Sequence, residues 1–179
     1  MTTVAICRYG AGNVRSVELA FQRLGADIVD DVAGADLAIL PGVGSARSAM
    51  NGLNERGTAD VLRARHERGG AILGICLGLQ LALDESDEDG GVGGLGLVPG
   101  RAVRLEGGRI PRIGWAPVHP TGETYWFAHS YAAESEATVA TSEGIAAVVE
   151  SGSFTGVQFH PEKSGAAGAR FLEKCLSRA

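Results

Sequence analysis

A cysteine flanked by glycines is the strongest candidate for chemistry in this chain, in the pentapeptide Gly74-Ile75-Cys76-Leu77-Gly78. The pentapeptide joins a predicted strand to a predicted helix, and small flanking residues permit a sharp turn that lifts the central side chain out of a sheet. The partial positive charge at the start of the helix would favour the thiolate, which is the nucleophilic form of cysteine. The pattern predicts a nucleophile at Cys76; the alternative is a small residue packed between strand and helix.

The other two cysteines are predicted to be core residues. Cys7 lies in an apolar strand-like run, and Cys175 lies on the apolar face of the last predicted helix. Free cysteines in such places behave as small hydrophobic residues. An odd number of widely separated cysteines suits a reducing cytosol better than a disulfide framework, so we expect a cytoplasmic protein.

Activation of a thiol requires a base, and the chain has four histidines: His66, His119, His129 and His160. His160 has the best local context because the following Pro161 biases it toward an extended conformation. In an extended chain, residues two apart project to the same side, so Glu162 can face the same cleft as His160. A thiol, an imidazole and a carboxylate make up a generalised catalytic triad. We therefore predict that Cys76, His160 and Glu162 are catalytic, with His129 as the reserve base.

Acyl chemistry also needs hydrogen-bond donors for a developing oxyanion. The tetrapeptide Pro41-Gly42-Val43-Gly44 follows a predicted buried strand, and its backbone N–H groups can turn toward the cysteine. The N–H of Leu77 is the natural second donor. A simple turn is the alternative interpretation of the tetrapeptide.

The elements that must position these residues alternate between strand and helix in the first half of the chain. Short apolar runs predict strands at 4–7, 26–29, 37–40 and 71–75. Helices are predicted from about residue 14 to 24, over 45–68 with breaks near Gly52 and Gly57, and over 77–83. This alternation predicts an α/β fold whose central sheet is mostly parallel and flanked by helices.

The pattern changes beyond an acidic, glycine-rich segment at 84–100, which is predicted to be a loop. Strand-like pieces follow without obvious helices, at 102–105, 124–127, 138–141, 146–149 and 154–159. We expect an added antiparallel portion of the sheet in this C-terminal half, closed by a helix after Ser164. Since neither an internal repeat nor a linker is evident, we expect one domain over residues 1–179.

Composition excludes several classes of function. The formal net charge is −5 and Lys and Arg are not clustered, whereas nucleic-acid binding needs a basic face. No run of about 18 apolar residues predicts a membrane span. Residues 1–10 lack the charged start and apolar stretch of a signal peptide. The Cys and His spacing suggests no metal site, and no cofactor is expected.

Two heptapeptides strongly resemble motifs of the class I (triad) glutamine amidotransferases, Gly74-Ile75-Cys76-Leu77-Gly78-Leu79-Gln80 and Gly156-Val157-Gln158-Phe159-His160-Pro161-Glu162. Further stretches at 9–13, 41–44, 127–131 and 163–168 make the finer match to glutaminase subunits of imidazole glycerol phosphate synthase. The resemblance covers about residues 4–176. It implies the flavodoxin-like class I glutamine amidotransferase fold.

Residue by residue, the resemblance implies three further groups of site residues. The oxyanion loop would be shaped by Gly42, Val43 and Gly44. The substrate, L-glutamine, would be held by Gln80, Glu88, Ser130 and Tyr131. The interface with a partner would include Asn13, Trp115, Trp126 and Lys163. The partner in this family is a (β/α)₈ barrel cyclase subunit, which receives ammonia from glutamine and forms imidazole glycerol phosphate in histidine biosynthesis.

Two positions depart from the family pattern without touching the expected triad. Arg8 occupies a position that is usually acidic, and Arg112 replaces a histidine before the Gly-Trp motif. Two other functions compete with the one that the resemblance implies. One is a glutaminase that serves a different acceptor, and the other is a binding module that retains the fold without catalysis.

Overall fold

A central β-sheet with helices on both faces organises the protein, and a computed structural model describes residues 1–10 and 13–179. The strands in chain order are β1 Thr3–Ile6, β2 Asp27–Val29, β3 Leu37–Leu40, β4 Ala71–Ile75, β5 Glu85–Ser86, β6 Val92–Gly93, β7 Arg101–Arg104, β8 Arg112–Pro117, β9 Thr124–His129, β10 Tyr131–Glu134, β11 Thr138–Ser142, β12 Ile145–Ser151 and β13 Phe154–Val157. The helices are α1 Val14–Arg23, α2 Ala46–Glu55, α3 Thr58–Glu67, α4 Leu77–Ala82 and α5 Gly165–Leu176, and 3-10 turns cover Glu88–Gly90 and Pro161–Lys163.

The central sheet has the strand order β2-β1-β3-β4-β13-β12-β11 in the described part of the chain. The pairs from β2 to β13 are all parallel, and only β12 and β11 add antiparallel pairs at one edge. The order β2-β1-β3-β4 is that of the flavodoxin-like fold. The predicted fold class, a mostly parallel sheet with an antiparallel addition from the C-terminal half, is confirmed.

Strand β3 shows why the central strands are apolar throughout. Its side chains alternate between two buried clusters, with Leu37 and Ile39 in one and Ala38 and Leu40 in the other. The first cluster includes Phe21 of α1 and side chains of α5, whereas the second includes side chains of α2, α3 and α4. A strand covered on both faces needs an uninterrupted apolar run, and that run is the feature from which this strand was predicted.

The region between α4 and β11 is richer in strands than the sequence pattern predicts. The segment expected to be a loop at 84–100 contributes β5 and β6, which join β7 and β10 in a second sheet. β8 and β9 form a separate antiparallel pair with Trp115 directly opposite Trp126. The pattern missed β8 and β10 because neither strand has a sustained apolar alternation.

Gly52 does not break a helix, contrary to the prediction. It lies inside α2, and the break comes at Gly57, which has φ +68°. A Cβ on Gly52 would lie 2.2 Å from the carbonyl oxygen of Tyr9. The missing side chain therefore lets α2 approach the backbone that follows β1, a tertiary reason that sequence patterns do not carry.

Arg65 lies at the end of the central sheet opposite to Cys76. Its buried guanidinium donates to four backbone carbonyls, those of Ala71 (3.1 Å), Val32 (3.2 Å), Ala33 (3.1 Å) and Asp36 (2.7 Å). One side chain thus satisfies the carbonyls of the connection before β3 and of the start of β4.

Among the described residues no helix is long and apolar enough to cross a bilayer.

Replacing Arg65 with Met should lower the free energy of unfolding by about 2–4 kcal/mol, because four partly buried hydrogen bonds from a buried charged donor are lost. Urea unfolding followed by circular dichroism measures the change. Arg68→Ala, which removes an exposed arginine from the end of the same helix, is the control and should change stability by less than about 0.5 kcal/mol. Equal stability of the two variants would contradict this role for Arg65.

Candidate active site

Cys76 lies on a sharp turn between β4 and α4, as the pentapeptide predicts. Its backbone has φ 54° and ψ −108°, a conformation that non-glycine residues rarely adopt. Its N–H donates to the carbonyl of Val157 at 2.7 Å, which continues the pairing of β4 with β13. A Cβ on Gly78 would lie 1.8 Å from the carbonyl oxygen of Leu40, so the turn depends on a bare backbone at this position.

His160 and Glu162 meet next to this turn. The Nδ1 atom of His160 lies 2.8 Å from Oε1 of Glu162, and both side chains are almost fully buried. The Oε2 atom of Glu162 is buried without a hydrogen-bond partner in the described residues, so the carboxylate acts mainly on the imidazole. The side chain of Cys76 also raises the pKa of the imidazole, and the pairing of β4 with β13 brings the two residues to the same end of the sheet. Carboxylate, imidazole and sulfur therefore lie in sequence, in the order that acyl-transfer chemistry requires.

The charge state of His160 follows from competing effects. Burial alone would lower its pKa, but hydrogen bonds and attractive charges from Cys76 and Glu162 raise the pKa to about 9. The imidazolium form of His160 is thus favoured at neutral pH, so the ring holds a proton that it can donate to a leaving group.

The backbone of His160 is held by the neighbouring strand β9. Its N–H donates to the carbonyl of Trp126 at 2.8 Å. The buried Ser164 hydroxyl donates to the His160 carbonyl at 2.6 Å and accepts from the Trp126 N–H at 2.9 Å. These bonds fix the backbone from which the imidazole projects.

The predicted oxyanion loop packs directly on the turn that carries Cys76. A Cβ on Gly42 would lie 2.5 Å from Cβ of Leu77 and 2.8 Å from the Gly78 nitrogen. The tetrapeptide is anchored by the buried Tyr9, whose hydroxyl donates to the carbonyl of Pro41. Gly42 is therefore needed for close packing as well as for any donation to an oxyanion.

A cavity of about 200 Å³ opens over the sulfur, and its walls contain the predicted nucleophile together with residues of the oxyanion loop and of the glutamine site. They are Val43, Gly44, Cys76, Leu77, Gln80, Glu88, Pro111, Ala128, His129, Ser130 and Tyr131. The volume is below the roughly 300 Å³ at which pockets for drug-sized ligands begin, which suits an amino acid. The structure thus brings together the expected nucleophile, the oxyanion loop and every residue expected to hold glutamine.

The residues expected to hold glutamine differ in how many of their hydrogen-bonding atoms are already engaged by other protein groups. Gln80 is buried and its Nε2 already donates to the carbonyl of Tyr131 at 2.8 Å and to Oε1 of Gln158 at 3.1 Å. Glu88 accepts from the N–H of Ala46 at 2.9 Å, and burial raises the pKa of its carboxyl group. Ser130 and Tyr131 are half-buried in the cavity wall.

His129, the reserve base, has both ring nitrogens engaged elsewhere. Nδ1 lies 2.9 Å from the carbonyl of Tyr131 and Nε2 lies 3.4 Å from Nη1 of Arg112. An arginine can only donate, so Nε2 accepts and Nδ1 carries the hydrogen. Burial, which is the main cause, lowers the pKa of His129 to about 4. A neutral imidazole with no free nitrogen is a poor general base.

The two departures from the family pattern both form specific contacts. Arg8 pairs with Glu18 of α1 at the surface. Arg112 donates to Glu143 at 2.9 Å and to Ser142 at 2.8 Å, besides its contact with His129. Arg112 therefore connects a wall of the cavity to the turn between β11 and β12.

The four residues expected at a partner interface lie near the same end of the sheet. Trp115 is 56% exposed, and its ring meets that of Trp126 edge-on with centroids 5.8 Å apart. Lys163 is exposed on the 3-10 turn after His160, and the half-buried Asn13 precedes α1. The expected motif at 9–13 includes residues 11 and 12, which lie outside the described residues.

Comparison with known proteins agrees with the fold and the site. The family model for class-I glutamine amidotransferases matches residues 6–179. A crystal structure of a glutamine amidotransferase superposes with a TM-score of 0.79 at 22% identity, covering 98% of this chain and 99% of the other, which shows a shared fold. The chain belongs to the class-I glutamine amidotransferase family.

Within that family, HisH subunits of imidazole glycerol phosphate synthase are similar over nearly the whole chain. The HisH subunit of Geobacillus thermodenitrificans is 40% identical over 203 residues, covering 97% of this chain and 95% of the relative. That of Symbiobacterium thermophilum is 42% identical over 195 residues, covering 96% of this chain and 92% of the relative.

Replacing Cys76 with Ala should lower the pKa of His160 from about 9, by about one unit or more, because a hydrogen bond and a negative charge are removed while burial remains. NMR titration of the histidine ring signals measures the change. His129, whose pKa is about 4, is an internal control and should stay neutral above pH 6 in both proteins. An identical His160 titration in both would show that sulfur and imidazole do not interact.

Proposed function

We propose that this chain is the glutaminase subunit of imidazole glycerol phosphate synthase. It would hydrolyse L-glutamine to glutamate and ammonia and pass the ammonia to a cyclase subunit, which forms imidazole glycerol phosphate and aminoimidazole carboxamide ribotide. The observation that carries the proposal is a buried imidazole–carboxylate pair at the end of β13, next to the end of β4, where Cys76 lines a small cavity. The names of the relatives supply the pathway and the existence of a second subunit.

In the first half-reaction, the sulfur of Cys76 attacks the carboxamide carbon of glutamine. The carbonyl π bond opens and its oxygen becomes an oxyanion, which backbone N–H groups of Leu77 and of the Val43–Gly44 segment would stabilise. As the intermediate collapses, His160 gives its proton to the nitrogen and ammonia leaves. A raised pKa suits this role because the imidazole is already protonated at neutral pH.

In the second half-reaction, a γ-glutamyl thioester on Cys76 is hydrolysed. His160 is neutral after the first step and can take a proton from water, whose oxygen then attacks the thioester carbonyl. The C–S bond breaks, glutamate leaves and the proton on His160 restores the starting pair. Glu162 accepts from the Nδ1 side throughout, so it orients the ring and stabilises its charged form.

Glutamine recognition would use the polar groups that line the cavity. The Glu88 carboxylate is held by the Ala46 N–H on the cavity wall and can pair with the α-ammonium group. Ser130, Tyr131 and the remaining oxygen of Gln80 are the other expected contacts. Because the Gln80 nitrogen is already used, this residue can accept from glutamine but has no further hydrogen to donate.

The partner would dock on the exposed apolar surface formed by Ile113 and Trp115 of β8, which are 62% and 56% exposed. Aromatic residues of this kind commonly anchor protein interfaces. The surface is close to the cavity because β8 begins with Arg112, which contacts the cavity residue His129. We also propose that the whole chain acts as one domain in the cytoplasm, where its three free cysteines stay reduced.

Cys76→Ala should abolish glutamine-dependent synthesis by the complex with the cyclase, by at least about a thousandfold, because no other group can form the thioester. Ammonia-dependent synthesis should be unchanged, since the cyclase site is intact. Both rates are measured by product formation with glutamine or with an ammonium salt. Cys175→Ala is the matched control and should keep both activities. Glutaminase activity that survives in Cys76→Ala would refute the assignment.

Trp115→Ala should weaken binding to the cyclase subunit by about 2 kcal/mol, roughly thirtyfold in Kd, if Trp115 is a central anchor. Isothermal titration of the two purified subunits measures the affinity. Val139→Ala removes a similarly exposed apolar side chain from β11 and serves as the control, with no expected change. Equal affinities for both variants would place the interface elsewhere.

A further inference from the structure

Two buried amides connect the wall of the cavity to the nucleophile. The carbonyl of Tyr131 accepts from Nε2 of Gln80 at 2.8 Å, and the same nitrogen donates to Oε1 of Gln158 at 3.1 Å. Nε2 of Gln158 in turn lies 3.6 Å from the sulfur of Cys76. Gln158 is 0% exposed, so its amide has no contact with solvent. Neither half-reaction proposed for glutamine hydrolysis involves this side chain.

The hydrogen bonds between these two amides fix the orientation of each amide group, and they decide which atom of Gln158 faces the sulfur. Gln80 must present its nitrogen to the Tyr131 carbonyl, since a backbone oxygen can only accept. That nitrogen also faces Gln158, which therefore presents its own oxygen to Gln80. The amide nitrogen of Gln158 is left facing Cys76. Its orientation toward the sulfur thus follows from a hydrogen-bond network that ends at the protein backbone.

The sheet explains why Gln158 reaches the sulfur. In the parallel pairing of β4 with β13, Val157 lies opposite Ile75, so the next residue on each strand, Gln158 and Cys76, are neighbours. The chain bends at Gln158 and Phe159 directly after β13, and His160 follows, so Gln158 and His160 both belong to the short segment that passes next to Cys76. The same short segment thus supplies two groups to one sulfur atom.

We propose that Gln158 is a further catalytic residue, whose side-chain N–H donates to the sulfur of Cys76 and stabilises its anionic form, and that Gln80 is the residue that positions it. A hydrogen bond to the charged form of a buried group favours that form, because it replaces the solvation lost on burial. The uncharged thiol has a different partner, the Ala128 carbonyl at 3.8 Å. The inference rests on the proposed function only in assigning Cys76 as the nucleophile.

The test measures how readily Cys76 ionises, without glutamine. Iodoacetamide alkylates the thiolate, forming a C–S bond as iodide leaves, and mass spectrometry locates the modified cysteine. The pH at which the alkylation rate of Cys76 is half-maximal is compared in wild type, Gln158→Met and Gln80→Met. No variant changes the titratable groups that surround the sulfur, which are Tyr9, Glu88, His129, Tyr131, His160 and Glu162.

In Gln158→Met we expect the half-maximal pH to rise by about one unit, or about a tenfold lower alkylation rate at a fixed pH below it. Gln80→Met should give a smaller rise, because the donor remains but is no longer held. Arg65→Met is the matched control: it removes buried hydrogen bonds at the far end of β4, so it should lose stability without moving the half-maximal pH. A merely structural role for Gln158 would predict the behaviour of this control.

An unchanged half-maximal pH in folded Gln158→Met would overturn the inference. If that variant does not fold, the half-maximal pH in Gln80→Met decides instead, because the amide of Gln158 is then no longer held toward the sulfur. An unchanged value there would equally overturn the inference. Failure of the proposed function would look different: the wild-type complex would not turn over glutamine, although the shift between wild type and Gln158→Met would still be present.

Discussion

The parallel pairing of β4 with β13 is the interaction on which the site depends. It joins two segments that are far apart in sequence, and the hydrogen bond from the N–H of Cys76 to the carbonyl of Val157 extends the pairing by one residue beyond β4. Cys76 therefore follows the end of β4 at the point where β13, the strand that precedes His160, also ends. Carboxyl ends of adjacent parallel strands share one edge of a sheet, so both groups arrive on the same side.

Burying the charged groups of the site costs free energy unless each charge has a partner inside the protein. The imidazole of His160 is almost fully buried, and loss of solvent would favour its neutral form. The carboxylate of Glu162 on one nitrogen and the sulfur of Cys76 toward the other reverse that preference. The nearby His129 shows the opposite result, since it has an arginine and a carbonyl for neighbours and remains neutral. Two histidines of similar burial thus differ in charge because of their partners.

Tight backbone packing is the second constraint. The turn at Cys76, the tetrapeptide at 41–44 and the end of β3 approach so closely that side chains at Gly42 and Gly78 would clash with backbone atoms. The glycines are therefore required by packing at the very positions where a bare backbone can also serve chemistry. The cavity above them stays small because side chains of β9 and the following Ser130 and Tyr131 form its opposite wall.

Much of this protein could be inferred from local sequence. The alternation of apolar runs predicts the parallel sheet, since a strand buried on both faces must be apolar throughout. The pentapeptide around Cys76 and the His-Pro-Glu segment mark the groups that meet, because a sharp turn and an extended tripeptide are local properties. The position of Gln158, two residues before His160 in the same segment, is a further local signal for a polar group near the nucleophile.

Other features were decided only by tertiary structure. Gly52 lies inside a helix at the point where α2 approaches the carbonyl of Tyr9, and β8 and β10 form because each pairs with a distant strand. The choice of His160 over His129 as the charged imidazole depends on which neighbours each ring meets across the fold. Local sequence determines which conformations and side chains are available, whereas distances between distant segments and the charges they impose on each other arise only when the sheet is assembled.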